Sequence, residues 1–330
     1  MRYPFKRGRE RKVMRSACLL ALMMVSLCLA GCLDGPTVDS GIGNTTEDEL
    51  VLPDWNVGDQ WLYTFVTPQF GEDSARLVVA EKDNESGTYR LGISSKEEAQ
   101  RHAVINHNPF LGRVTMDGLS VYEEGDPQPV FNFPWNIGDS WGFTLFGQEW
   151  TAETESIYNG VVDVSASSSD GHSLVYSFSG RDGFVDSLVW SDDEGIEQLR
   201  MELTQTKTDY EGDVYFYRAR DLLDSVYENN ENDISDSFLD SGHPDGTEWD
   251  VLVWYIDLDI SGGGSGTLSL KDHQGASPLV RTWGSGATEK GSIGTIPSLS
   301  GDYSLTVTLR GGDSTLHFKV AGGIFSQWTL

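Results

Sequence analysis

The sequence has 330 residues and carries 51 acidic against 23 basic side chains, which gives a formal net charge of −28. A surface this acidic repels nucleic acid and anionic lipid, because both bind through positive patches, so nucleic acid is excluded as a partner. The chain has only 3 cysteines, too few for a disulfide-rich scaffold.

Residues 1–31 have the parts of an export signal: a basic start, an apolar stretch at 17–30 and small residues at the end. The apolar stretch is too short for a permanent membrane span, which needs about 20 residues. Its end, Leu-Ala-Gly-Cys at 29–32, resembles the lipobox of prokaryotic lipoproteins. The resemblance implies cleavage before Cys32, a lipid on its sulfur and an extracytoplasmic protein anchored to the cell membrane. The alternative is an ordinary signal peptide that ends at a cysteine by chance.

Loss of this signal peptide changes the properties of the remaining chain. It takes away seven basic residues and one acidic residue, which shifts the formal net charge from −28 to −34. Cys18 and Cys28 are lost as well, so the mature protein has no disulfide. Residues 32–50 are rich in Gly, Asp, Thr and Ser with few large apolar side chains, which predicts a flexible tether behind the lipid anchor.

A seven-residue motif occurs twice, as Trp-Asn-Val-Gly-Asp-Gln-Trp at 55–61 and Trp-Asn-Ile-Gly-Asp-Ser-Trp at 135–141. Its Gly-Asp pair favours a turn, since Gly adopts φ > 0 and the Asp side chain accepts from local N–H groups. Apolar residues alternate with other residues after each copy, as in a half-buried strand. The duplication predicts a domain at 51–222 that contains two successive β units.

Further patterns describe these units in more detail. Ser95 followed by Glu98 is a capping box, which predicts a short helix near 96–103. The second motif with its preceding Phe-Pro resembles a group of exported proteins whose units open on the same turn. That resemblance, over roughly 52–210, implies a half-barrel of the periplasmic lipoprotein-carrier type, in which an antiparallel sheet surrounds an apolar face.

The C-terminal part of the chain has a different character. Ten acidic residues and no basic residue occur in 221–250, which predicts an acidic linker at 223–240. The alternation at 251–260 and a later hairpin pattern predict a β-sandwich domain at 241–330. Asp-Gly-Thr-Glu-Trp-Asp-Val at 245–251 resembles the pre-peptidase C-terminal type of sandwich module, which implies an accessory domain of the kind attached to exported hydrolases. The predicted fold is therefore mainly β, an antiparallel two-unit half-barrel followed by a sandwich.

The sequence predicts no catalytic residue. Gly-Asp-Ser-Trp-Gly at 138–142 matches the nucleophile-elbow pattern, but an elbow needs a helix after the turn and here a strand pattern follows. The first copy of the motif has Gln60 where Ser140 stands, so the turn requires its Gly-Asp and not the serine.

Binding residues can be proposed from side-chain chemistry. Aromatic side chains with polar edges line grooves for sugars and lipids, although they more often fill a core. We predict a core role for Trp61 and Trp141 and ligand contacts for four other tryptophans, Trp55, Trp135, Trp150 and Trp190. Four carboxylates could hold Ca²⁺ with carbonyl oxygens, although a solvated charge run is the other interpretation, namely Asp236, Asp240, Asp245 and Asp250. No other cofactor is predicted.

These observations lead to a functional hypothesis with two alternatives. The first is a lipid-anchored, non-enzymatic surface protein that binds an apolar molecule, a glycan or an envelope protein in the half-barrel. The second is a secreted hydrolase or its accessory subunit, and the third is a structural spacer in the cell envelope.

Overall fold

The computed structural model of the chain describes residues 50–105, 108–229, 233–311 and 313–330. The predicted signal peptide, Cys32 and the tether up to residue 49 therefore lie outside the described residues. None of the helices in the described part of the chain is long and apolar enough to cross a membrane.

The first strand of the first β unit begins at Gln60, within the last two residues of the first motif. This unit contains one helix and six strands: β1 (Gln60–Thr67), β2 (Gly71–Asp83), β3 (Thr88–Ile93), α1 (Lys96–Ile105), β4 (Gly112–Thr115), β5 (Val121–Glu123) and β6 (Asp126–Gln128). The helix confirms the prediction for 96–103, and the Ser95 hydroxyl accepts from the Glu98 N–H at 3.4 Å. A serine at this position satisfies one of the N–H groups that a helix start leaves without a partner.

The second unit begins in the same way, within the last two residues of the second motif. Its strands are β7 (Ser140–Leu145), β8 (Gln148–Tyr158), β9 (Val161–Ser168), β10 (Ser173–Ser179), β11 (Phe184–Ser191) and β12 (Glu197–Lys207). A strand and not a helix therefore follows the Gly-Asp-Ser-Trp-Gly turn, so the context of a nucleophile elbow is absent.

The remaining strands complete the fold. They are β13 (Asp213–Glu228), β14 (Ile234–Asp240), β15 (Val251–Ile260), β16 (Ser265–Lys271), β17 (Leu279–Trp283), β18 (Thr288–Pro297), β19 (Gly301–Arg310) and β20 (Ser314–Thr329). One sheet of 16 strands has the order β18-β15-β20-β13-β3-β2-β1-β12-β11-β10-β9-β8-β7, with β4, β5 and β6 continuing from β3. A second sheet has the order β14-β19-β16-β17. The predicted mainly β, antiparallel fold class is confirmed.

The C-terminal sandwich shares a sheet with the first unit. Its core lies between the four-stranded sheet and the β18-β15-β20-β13 end of the large sheet. Alternate residues of β15, such as Leu252 and Trp254, belong to this core, whereas Val253 and Tyr255 belong to the core that includes helix α1. The sequence predicts burial of one face of β15, but both faces are buried because α1 packs on the second face.

The segment predicted as an acidic linker, 223–240, differs from that prediction. It contains the end of β13, which pairs with β20 as far as Glu228, and the whole of β14, which pairs with β19. Tyr227 and Phe238 are buried in the sandwich core, while many of the acidic side chains are exposed. In β13 the exposed Asp224 and Glu228 lie on the face opposite Tyr227, whereas in β14 Asp236 and Asp240 share a face with Phe238, so the run of acidic residues did not reveal the apolar contacts.

The packing of the sandwich predicts that alanine substitution at two of its glycines has very different effects on stability. A Cβ added to Gly322 would lie 2.6 Å from Cδ2 of the buried Trp249 indole, and Gly322 is in the middle of β20. We expect Gly322→Ala to lower the free energy of unfolding by about 1–3 kcal/mol, because the indole must move in a filled core. Gly262→Ala is the matched control, since a Cβ there meets nothing within 4 Å. Equal midpoints in urea unfolding of the two variants would contradict this packing.

Candidate binding site at the tryptophan turns

The two motif copies fold into the same turn. Gly58 and Gly138 have φ values of 93° and 84°, a region that favours glycine. Each donates its N–H to the next strand, Gly58 to the Val79 carbonyl and Gly138 to the Thr154 carbonyl, both at 2.9 Å. Val79 and Thr154 in turn donate to the carbonyl of the motif aspartate at 2.9 and 3.0 Å. The turns therefore have one hydrogen-bond pattern, and their side chains can be compared position by position.

In the first copy, both indoles donate hydrogen bonds to main-chain carbonyls of the second unit. The Trp55 Nε1–H donates to the Gly183 carbonyl at 3.0 Å, and the Trp61 Nε1–H donates to the Asp182 carbonyl at 2.8 Å. Both rings are 2% exposed. Hydrogen bonds in such apolar surroundings are costly to leave unmade, so this contact fixes the β10–β11 turn against the first turn.

A third aromatic donor continues this contact. The Tyr63 hydroxyl, in β1, donates to the Val185 carbonyl at 2.6 Å. Burial raises the pKa of Tyr63 well above its usual range, so the phenol keeps the proton that it donates. The equivalent residue of the second unit, two positions after the motif, is Phe143, which lacks a hydroxyl.

The aspartate of the β10–β11 turn is itself held in place. Burial opposes ionisation of Asp182, but three hydrogen bonds outweigh it and lower the pKa of the carboxyl below 3.8. The donors, at 2.9, 2.7 and 3.2 Å, are Arg181, Ser179 and Thr206. The acceptor carbonyls that the first tryptophan pair binds therefore lie on an ordered turn.

In the second copy, the same donors have no acceptor. The Nε1 atoms of Trp135 and Trp141 are shielded from solvent and have no hydrogen-bond partner among the described residues. Trp135 is 7% exposed, and Trp141 is half-buried. The hydroxyl of Thr154, at the position of Val79 in the first unit, is likewise buried without a partner in the described part of the chain. Unsatisfied buried polar atoms are rare in proteins, and three of them belong to one turn and its neighbouring strand.

A row of aromatic rings joins the two turns. Ring centroids lie 4.9 Å apart for Trp55 and Phe184, 6.3 Å for Phe184 and Phe131, 6.4 Å for Phe131 and Trp135, and 6.0 Å for Trp135 and Trp141. All of these rings except Trp141 are buried in the same core. The apolar face that the carrier resemblance predicts as a groove is therefore filled by the protein's own side chains around both turns.

The two other predicted tryptophans have different environments. Trp150 is 2% exposed and donates to the Leu145 carbonyl at 2.8 Å, a contact within its own hairpin. Trp190 is half-buried and stacks on Phe146, with centroids 4.7 Å apart and an angle of 4° between the rings. The Trp190 Nε1 also has no partner among the described residues.

The four predicted Ca²⁺ ligands are not brought together. Each has its own partner instead: Asp236 accepts from Tyr227, Asp240 from Ser298, Asp245 from Arg218, and Asp250 from the Phe325 backbone. Over the described residues, no group of three or more His, Cys, Asp or Glu side chains could hold a metal ion.

Two clefts lie away from the tryptophans. One has about 260 Å³ of empty space, partly open to solvent, between the β1–β2 turn and α1, where Phe70 faces Arg101. The other has about 440 Å³, also partly open to solvent, beside Asp233 and Arg310 on the sandwich. The first has only about 10 Å³ of room for a water molecule, far below the roughly 300–1,000 Å³ of a ligand pocket.

Comparison with known proteins gives no family. No family model and no curated protein matches the chain. Similar solved structures include a glycoside hydrolase family 43 arabinoxylan arabinofuranohydrolase from Bacillus subtilis, with 12% identity over 74% of this chain and 65% of that chain and a TM-score of 0.19. They also include the MucA/MucB complex of Pseudomonas aeruginosa, with 9% identity over 84% and 91% and a TM-score of 0.23. The chain spans less than two thirds of the hydrolase, and scores this low transfer neither fold nor function.

The asymmetry between the turns can be measured by matched substitutions. Trp61→Phe leaves the Asp182 carbonyl without its donor, whereas Trp141→Phe removes an N–H that has no partner. We expect Trp61→Phe to cost about 1–3 kcal/mol more unfolding free energy than Trp141→Phe. Urea unfolding followed by circular dichroism measures both, and an equal loss would show that the second indole is bonded in the free protein.

The lowered pKa of Asp182 predicts a pH dependence. Its stabilising contribution is complete above the ordinary value of 3.8 and is lost as pH falls through the lower folded value. We therefore expect Asp182→Asn to destabilise the protein at neutral pH and to matter progressively less under acidic conditions. Ser179→Ala, which removes one donor, should give a smaller change in the same direction. Thermal unfolding across this pH range would contradict the network if the effect of Asp182→Asn were constant.

Proposed function

We propose that the protein is a lipid-anchored extracytoplasmic binding protein, without a catalytic role, that recognises an envelope protein through its second tryptophan turn. The observation that carries this proposal is the pair of buried indole donors at Trp135 and Trp141, for which the described part of the chain supplies no acceptor. The first turn supplies a precedent for their partner, because its indoles bind backbone carbonyls. A polypeptide main chain is therefore the ligand that this donor arrangement favours.

The filled apolar face argues against the carrier alternative. A lipid carrier needs an apolar cavity, and here the aromatic row between Trp55 and Trp135 occupies that position. A glycan would be recognised by aromatic faces exposed to solvent, whereas Trp135 is 7% exposed. A main-chain carbonyl placed at these indole nitrogens replaces an unsatisfied donor by a hydrogen bond in apolar surroundings.

The anchoring part of the proposal has a direct test. Cys32→Ser removes the sulfur that the lipobox resemblance assigns to lipid attachment, and we expect the protein to move from the membrane fraction to the soluble extracytoplasmic fraction. Cys28→Ser is the matched control and should leave the protein in the membrane fraction. Retention of the Cys32→Ser protein with membranes would remove the argument for the anchor.

The binding part can be tested with a backbone mimic. N-acetylglycine N-methylamide offers two peptide carbonyls and no side chain, so it probes the indole donors alone. In ¹⁵N–¹H spectra, we expect its addition to shift the indole signals of Trp135 and Trp141 and to leave those of Trp55 and Trp61 unchanged, because the latter are already bonded. Shifts with glucose and not with the amide would indicate that the ligand is a glycan and not a protein. No shift with either compound would overturn the proposed site.

A further inference from the structure

Strand β7 has an open edge where its counterpart has a neighbour. β1 and β7 follow the two equivalent turns. β1 lies between β2 and β12, and β12 pairs with it antiparallel from Gln60–Lys207 to Val66–Arg200. β7 pairs with β8 and ends the order of the large sheet. The position that β12 fills in the first unit is thus unfilled by any described strand in the second unit.

The hydrogen bonds of β7 show which groups face this edge. The Thr144 N–H donates to the Gln128 side chain at 2.8 Å, away from β8. Because N–H groups alternate in direction along a strand, those of Gly142 and Ser140 point the same way. Both residues are exposed, and a Cβ on Gly142 would meet only the Trp150 carbonyl, at 3.5 Å, within its own hairpin.

Only one end of this edge is protected. Gln128 occupies the edge at Thr144, and the Glu123 carboxylate accepts from the Gly147 N–H at 2.8 Å just beyond it. At the Ser140–Gly142 end, which includes Trp141, no side chain of the described residues bonds the outward N–H groups. Proteins normally cover or charge an exposed edge, because its unpaired groups are a template for another strand.

The negative charge around this edge indicates the charge that a partner should carry. Residues 114–180 contain ten acidic side chains and neither Lys nor Arg. Two of the acidic side chains, Glu149 and Glu153, are exposed on β8 opposite Thr144 and Ser140. A segment beside β7 therefore meets negative charge, which favours Lys or Arg in the partner.

We propose that a basic, extended segment of the partner protein adds to the Ser140–Gly142 edge of β7 as a further antiparallel strand, in the position that β12 has on β1. Carbonyl groups of the same segment accept from Trp135 and Trp141. This inference rests on the proposed function and specifies its ligand. It combines two independent observations, an unprotected sheet edge and buried indole donors without acceptors, at the same turn.

A designed peptide tests the strand addition. The probe is a capped peptide of about ten residues in which Lys alternates with Thr and Val, a composition that favours strands, and its counterpart has Glu in place of Lys. We expect the Lys peptide to bind at least about tenfold more tightly than the Glu peptide by isothermal titration, since like charges repel across the edge. Hydrogen exchange should show new protection at the Ser140 and Gly142 amides.

Matched variants separate edge pairing from other contacts. Gly142→Pro removes the outward N–H at a position where an edge strand tolerates proline, whereas Gly142→Ala keeps it. We expect Gly142→Pro to weaken the Lys peptide about tenfold or more and Gly142→Ala to leave its affinity unchanged. Glu153→Lys, which alters no backbone group, should also weaken it. N-methylation of alternate peptide amides should abolish binding without any change to the protein.

The possible results distinguish the two proposals. If backbone mimics shift the indoles of Trp135 and Trp141 but the Lys peptide binds no better than the Glu peptide, the second turn is a binding site and the strand addition is wrong. Affinity that is insensitive to Gly142→Pro and to N-methylation overturns the strand addition as well. If neither the mimic nor the peptide binds, both proposals fail.

Discussion

The two bonds from the first tryptophan pair to the carbonyls of Asp182 and Gly183 connect residues that are 121 and 128 positions apart in the chain. They fix the β10–β11 turn against the first turn, and Tyr63 extends the contact to Val185. On the same side, β12 covers the second edge of β1. The β10–β11 turn and β12 of the second unit therefore complete the first unit. The aromatic row between the two motif turns results from this contact.

The duplicated turn has the same backbone but a different environment in each of its two copies. Its backbone is the same in both copies, so the Gly-Asp pair meets one conformational requirement twice. The tryptophans differ in what surrounds them, because the first copy is covered by later strands of the chain and the second lies at the end of the sheet. The motif whose indoles bind main-chain carbonyls in the first copy thus has, in the second copy, indole N–H groups without a partner among the described residues.

Sequence patterns predicted local structure well and long-range partners poorly. The turn at Gly58 and Gly138 and the capped helix after Ser95 depend on neighbouring residues alone, and the structure confirms the helix. The burial of both faces of β15 and the pairing of β14 depend on elements distant in the chain, so periodicity could not show them. The difference between Trp61 and Trp141 was equally hidden, since it arises from what lies opposite each indole. The replacement of Tyr63 by Phe143, which lacks a hydroxyl, was one visible sign that the two copies do not hold the same partner.

The pairing of β1 with β12 has a consequence for how the chain folds. The second edge of β1 stays unpaired until the residues near 200 form β12. Contacts between residues this distant in sequence slow folding. Until β12 forms, β1 has one unpaired edge, as β7 has among the described strands of the complete structure. A chain interrupted before β12 would expose the edges of β1 and β11 in addition to that of β7, and unpaired edges of this kind favour aggregation.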